Sequence, residues 1–231
     1  MVKELSLAYK YPTFGSSWRD FKAHINTYIA LYLLMLTLGI ASFVIDFSFV
    51  FIFSVLGDGS DTASGVGQIL GSIVTFPISI INNLFGVLLI AVPTIYYSKE
   101  EVVSFRVIIN RVKSSILRYI LAGILWTFFV LIGYVFCIIP GILFTLITPI
   151  YVHKIFTTDV SIIDSFQSSW SSLFNSKRAI PFFAMSLFVG FLTIICSILT
   201  CFLGGLVFIP LSWFYIINYA YHIGILKHSK N

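Results

Sequence analysis

From Ile25 to Leu56 the chain carries one charged side chain, Asp46, and from Val66 to Ser98 it carries none. A hydrocarbon core is crossed by about 20 apolar residues, so each run exceeds one crossing by about ten. In lipid every backbone N–H and C=O must be satisfied within the protein, and long apolar runs of this kind do so as helices. The surplus flanks the polar stretch Gly57-Asp58-Gly59-Ser60-Asp61-Thr62, so these two helices are expected to tilt or to project there. Lys99-Glu100-Glu101 closes the first hairpin.

Four further runs follow: from near Ile116 to Ile139, Ile142 to Phe156, Ala179 to Phe202, and Leu206 to about Leu226. Pro140-Gly141 and Gly204-Gly205 are read as the tight turns between them, because Pro cannot donate to a helix and Gly relaxes the backbone. The expected architecture is all-α: a polytopic transmembrane bundle of about six spans arranged as three hairpins, in one integral membrane domain over 1–231. Its parts are an interfacial N-terminus (1–24), hairpin 1 (25–98), an amphipathic helix with hairpin 2 (99–156), and an amphipathic helix with hairpin 3 and the tail (157–231). The first run starts near Tyr28 and is too long for a signal-peptide core, so it reads as a retained helix. Composition agrees: of 231 residues 58% are hydrophobic and 10% charged, where a soluble domain has about a quarter charged.

The segments before the hairpins are amphipathic. Phe14, Trp18, Phe21 and Ile25 share one helical stripe, as do Phe105, Ile108, Ile109, Val112 and Ile116, with Arg106, Asn110 and Lys113 opposite. In the third, Ile162, Ile163, Phe166, Trp170, Leu173 and Phe174 oppose Asp164, Gln167, Ser168 and Ser171. Such stripes suit helices lying in the headgroup plane. Each unit therefore repeats one pattern: an aromatic-bearing amphipathic helix, a basic cluster, then two spans.

Charge sorts the topology. The 14 Lys and Arg residues fall on one side of a six-span chain: Lys3, Lys10, Arg19 and Lys22 at the start, Lys99 to Arg118, Lys154, Lys177 with Arg178, and Lys227 with Lys230. The Asp58/Asp61 loop and the two Gly-containing turns carry none. Cations are retained in the cytoplasm, which places both termini there. The net charge of +5 then reads as topology control and anionic-lipid contact, and nucleic acid is not an expected partner.

Few residues carry chemistry. Asp46 either sits hydrated among outer headgroups or is buried; with Asn82 and Asn83 it is the one conceivable polar path, although such amides also bond between helices. Gly67 and Gly71, extended backward by Ala63, form a GxxxG that permits close helix approach within the chain or in a dimer. Cys137, Cys196 and Cys201 lack metal spacing; Cys137 and Cys201, near the outer turns, either pair or pack as small apolar groups. His24, His153, His222 and His228 lie at predicted inner edges without paired ligand spacing, and His153 with Lys154 is expected to snorkel. Trp18, Trp170, Trp213, Tyr96, Tyr97, Tyr151, Tyr215 and Tyr219 read as an aromatic belt. No catalytic residue, cofactor or metal is assigned, since nucleophile elbows, P-loops and acid pairs are all missing.

The stretch Cys137-Ile-Ile-Pro-Gly-Ile-Leu-Phe-Thr-Leu-Ile-Thr-Pro-Ile-Tyr-Val152, followed by Ser165-Phe-Gln-Ser-Ser-Trp170 and a polar step at Asn175, resembles the YciC-like family of bacterial inner-membrane proteins. Phe14-Gly-Ser-Ser-Trp-Arg-Asp-Phe21 resembles the same family, and the pattern is also similar to the membrane domain attached to some glycerophosphodiester phosphodiesterases. The resemblance implies a multi-pass inner-membrane protein and brings no catalytic residues with it. The expected role is non-enzymatic: accessory, scaffolding or membrane maintenance, with a small-solute transporter or channel as the alternative. Membrane lipid is the expected partner, with a second copy of the chain or another membrane protein as an option.

Overall fold

The computed structural model describes residues 12–99, 101–174 and 177–226; Lys3, Lys10, Glu100, Asn175, Lys227, His228 and Lys230 lie outside them. Among the described residues the regular elements are nine α-helices: α1 (Phe14–Ala23), α2 (Ile25–Leu56), α3 (Asp61–Lys99), α4 (Phe105–Ser114), α5 (Ile116–Phe136), α6 (Ile138–Thr157), α7 (Ile162–Phe174), α8 (Ala179–Leu199) and α9 (Gly205–His222). Five of them, α2, α3, α5, α6 and α8, are long and apolar enough to cross a membrane. The fold is an all-α polytopic helix bundle. The sixth apolar run forms α9, a helix of 18 residues that buries Ser212 and Asn218 among its apolar side chains.

The chain divides into two compact units, Ile29–Gly86, and Met1–Tyr28 with Val87–Asn231. The first holds most of α2 and the leading part of α3, joined through Asp58 (φ 50°) and Gly59 (φ 78°) in the left-handed region. The stripe Ala63, Gly67, Gly71 and Thr75 faces α2. A Cβ on Gly67 would meet the Phe49 carbonyl oxygen at 2.7 Å, and one on Gly71 would meet Asp46 Oδ1 at 2.9 Å. The GxxxG therefore serves packing within the chain. The other faces of α2 are apolar and exposed, with Phe43, Phe47 and Phe51 stacked along one edge.

In the second unit α5 and α6 form one hairpin and α8 and α9 another; α7 packs on α6, and α1 packs on α9. The break between α5 and α6 is a single extended residue, Cys137 (φ −169°, ψ 141°). The expected turn at Pro140-Gly141 is displaced: both belong to α6, whose third helical position Pro140 fills. A proline there loses nothing, because first-turn N–H groups have no helical acceptor. Gly141 is needed for contact instead, since a Cβ would reach the Tyr134 ring at 2.5 Å, and one on Gly133 would meet the Gly141 nitrogen at 2.9 Å.

The second expected turn is present in part: the reversal runs from Thr200 to Gly204, and Gly205 begins α9. Both glycines have or begin right-handed helix, and the left-handed residues are Cys201 (φ 50°) and Phe202 (φ 66°). The Gly204 N–H donates to Thr200 Oγ1 at 2.9 Å, leaving no room for a side chain. The cysteines are free, and Cys137 and Cys201 are exposed.

Basic residues fix the end of α6. Arg111 donates to the Phe156 carbonyl at 3.1 Å, and Arg118 to the carbonyls of Thr158 and Val160, each at 2.8 Å. Cations here also oppose the negative end of the helix dipole. His153 does not snorkel but is buried edge-on to Tyr221 at 5.5 Å, and the half-buried Lys154 donates to Ser172 Oγ on α7 at 2.8 Å.

Candidate functional site

The most concentrated polar chemistry lies where α1 meets the end of α3. Thr13 caps α1, accepting from the Ser16 N–H at 3.1 Å, and the helix runs to His24. Its inward face carries two polar residues, Ser17 and Asp20, buried beside Phe21, while Phe14, Trp18 and Ile25 are exposed. Of the stripe read from the sequence, Phe21 is thus buried and the other three are not, so α1 turns most of its apolar side outward and keeps Ser17 and Asp20 inside. Outward apolar residues cost nothing where lipid is the solvent, and the interior can then hold hydrogen bonds.

Asp20 is 2% exposed and accepts from Tyr97 Oη at 2.7 Å and Tyr96 Oη at 3.2 Å. The Arg19 guanidinium approaches Oδ1 at 3.9 Å from an exposed position. Burial pushes the Asp20 carboxyl above the usual carboxylate range, against the pull of both tyrosine hydroxyls, Arg19 and His24. His24 is buried one turn on. Its Nε2 accepts from the Val103 N–H at 3.1 Å, so Nδ1 holds the proton and donates to the Asp20 carbonyl at 2.7 Å. Burial holds this imidazole below its usual pKa, in its neutral form.

Thr27 donates to the Val103 carbonyl at 2.9 Å, and Tyr28 to the Leu89 carbonyl at 3.0 Å. The linker before α4 is thus pinned through both backbone groups of Val103. Phe214 of α9 closes the cluster, with ring centroids 5.3 Å from His24, 6.0 Å from Tyr96 and 6.1 Å from Tyr97 and Tyr28. The aromatic-belt expectation is corrected for Tyr96, Tyr97, Tyr151 and Tyr215, which are buried; Tyr151 donates to the Ala122 carbonyl at 3.1 Å and stacks on Trp126, and Tyr215 stacks on Phe14. Trp18 stays exposed, with the Lys22 ammonium 5.6 Å from its ring centre.

Beside this cluster a cavity of about 230 Å³ opens between Ile95, Val103, Val107 and Phe156, with Lys99, Glu101 and Arg111 at its edge. Two cations and one carboxylate share it with the carbonyl end of α6.

The sequence-chosen residues are dispersed. Asp46 is half-buried and accepts from Thr75 Oγ1 at 3.1 Å. Asn82 and Asn83 lie seven and eight residues beyond Thr75, about two helical turns away. Asn82 is half-buried with Oδ1 unpartnered, and Asn83 is exposed. No hydrogen bond joins the three among the described residues. Groups of three or more His, Cys, Asp or Glu able to hold a metal are absent among those residues. Asp20 was not singled out from the sequence, because an Asp beside an Arg in an amphipathic helix reads as a solvated pair. The available signal was the Tyr96-Tyr97 pair closing a long apolar run.

No family model, curated protein or solved structure matches the chain.

Proposed function

We propose that this is a six-span inner-membrane protein with both ends in the cytoplasm and a non-enzymatic accessory, scaffolding or membrane-maintenance role. The observation that carries the reading is the packing of α1. Its carboxylate and imidazole lock it to the end of α3, and its outward face presents Phe14 and Trp18 beside Arg19 and Lys22. Rings with cations suit the boundary between anionic headgroups and acyl chains. Ile163 and Phe174, exposed on α7 ahead of Lys177 and Arg178, form a second such surface. A chemical step would need reactive groups open to a substrate, whereas Asp20, His24, Tyr96 and Tyr97 are buried and hydrogen-bonded within the protein. The likeness of Cys137 to Val152 to the YciC-like family supports the inner-membrane assignment, and the one-sided Lys and Arg distribution supports α9 as the sixth crossing.

Two measurements test this. An impermeant maleimide added to intact cells should label Cys137 and Cys201, while a Lys177→Cys variant should label only after permeabilisation; the opposite pattern overturns the topology. Reconstituted protein should unfold at higher temperature in anionic than in zwitterionic bilayers, and Lys22→Glu should narrow that difference. Equal unfolding temperatures in both lipids would remove the lipid-facing role.

A further inference from the structure

The two helices of the first hairpin do not match the rest of the chain in length. α2 has 32 residues and α3 has 39, against 21, 20 and 21 for α5, α6 and α8. At 1.5 Å per residue these are about 48 and 58 Å against about 30 Å, the thickness of a hydrocarbon core. Counted from the charged end at Lys99, an upright α3 leaves the core after about 20 residues.

Along α3 a second stripe lies next to the glycine stripe used by α2. Gln68, Ser72, Ser79 and Asn83 fall within roughly 60° of arc at 100° per residue. All four are exposed in the single chain. Ser79 bonds only back to the Thr75 carbonyl, at 3.2 Å, and the side chains of Gln68, Ser72 and Asn83 form no hydrogen bond among the described residues. A groove of about 520 Å³ bounded by Gln68, Ile69, Ser72, Ile73 and Phe76 runs along the same stripe.

Neither placement of the lone hairpin is comfortable. Standing upright, it puts exposed Ile69 and Ile73 of α3, and Phe51, Val55 and Leu56 of α2, into water. Tilted until these are immersed, it carries Gln68 and Ser72 into lipid as well, and Asn83 lies in the core either way. A protein surface that offers both apolar cover and hydrogen-bonding groups removes both costs.

We propose that this face of α3 is the contact between two copies of the chain. Copies inserted alike run their α3 helices parallel, and a two-fold axis along the contact sets each stripe residue opposite its own counterpart. Such an interface must be self-complementary. Amides and hydroxyls meet that demand, because each both donates and accepts; a stripe of one charge would repel itself. The contact does not depend on which side of the membrane the termini occupy.

Single cysteines in a background where Cys137, Cys196 and Cys201 are replaced by Ala provide the test. Oxidised in membranes, Ser72→Cys, Ser79→Cys and Asn83→Cys should give disulfide-linked dimers. Val74→Cys and Ile81→Cys, exposed on the far side of α3, should not. In sparse reconstitution, fluorescently tagged wild-type protein should bleach in two steps and the Ser72→Leu/Ser79→Leu/Asn83→Leu variant in one. Equal crosslinking at all five positions, no dimer at the three stripe positions, or single-step bleaching of the wild type would each overturn the proposal.

Discussion

Replacing Asp20 by Ala takes away the acceptor used by two buried tyrosine hydroxyls, at 2.7 and 3.2 Å. A buried polar group stripped of its partner costs about 1–3 kcal/mol, and two such groups set an upper bound of about 6 kcal/mol. Against this stands the relief of no longer burying a carboxylate, which the upward displacement of its pKa shows to be unfavourable. The expected net loss is about 3 kcal/mol, read as a lower midpoint of unfolding in detergent and faster amide exchange through α1. Asp20→Asn keeps one acceptor and loses the charge, so it should cost about half as much. Adding Tyr96→Phe and Tyr97→Phe to Asp20→Ala should recover part of the loss, since all three partners are then removed together. If Asp20→Ala unfolds like wild type, or the triple variant loses the sum of its parts, the cluster does not hold α1 in place.

His24 must stay neutral to accept from Val103, and its pKa is lowered, so its contribution is full above the imidazole's unfolded value and lost as pH falls through the folded one. Wild-type midpoints should therefore drop on acidification below about pH 6.5, and His24→Asn should flatten that part of the profile. Asn218 is 0% exposed with neither amide atom hydrogen-bonded; Asn218→Leu should stabilise by about 1–2 kcal/mol in the same unfolding assay. Gly71→Leu should separate α2 from α3, because even a Cβ meets Asp46 Oδ1 at 2.9 Å; a cost of about 1–3 kcal/mol and loss of the Thr75–Asp46 bond are expected, the latter visible as faster exchange near Gly71.

The spans were legible because a run such as Ile25 to Leu56 has one stable answer in lipid, and the structure returns it as α2. The amphipathic helices were legible as helices, and α4 buries Ile108 and Val112 of its apolar stripe, but the inward face of α1 was not legible. Periodicity in Phe14, Trp18, Phe21 and Ile25 tells which residues share a side; it does not tell whether that side meets protein or lipid. Where lipid is the solvent, the inward face is free to be the polar one, and α1 buries Ser17 and Asp20. The same ambiguity hid Tyr96 and Tyr97, which match belt residues in type and depth. Pro140 misled for a different reason: proline is common in turns and equally at home in a first helical turn, and only the backbone angles at Cys137 show where the chain reverses.

The one-residue link at Cys137 leaves α5 and α6 no slack, and this makes the hairpin tip set the rotation of everything after it. An added residue there would turn α6 by about 100° about its own axis. Ile147, Ile150 and Tyr151 would swing away from the faces they now fill, and the carbonyls held by Arg111 and Arg118 would turn out of reach. The same insertion between Gly57 and Ser60, where several residues already share the reversal, would be absorbed locally.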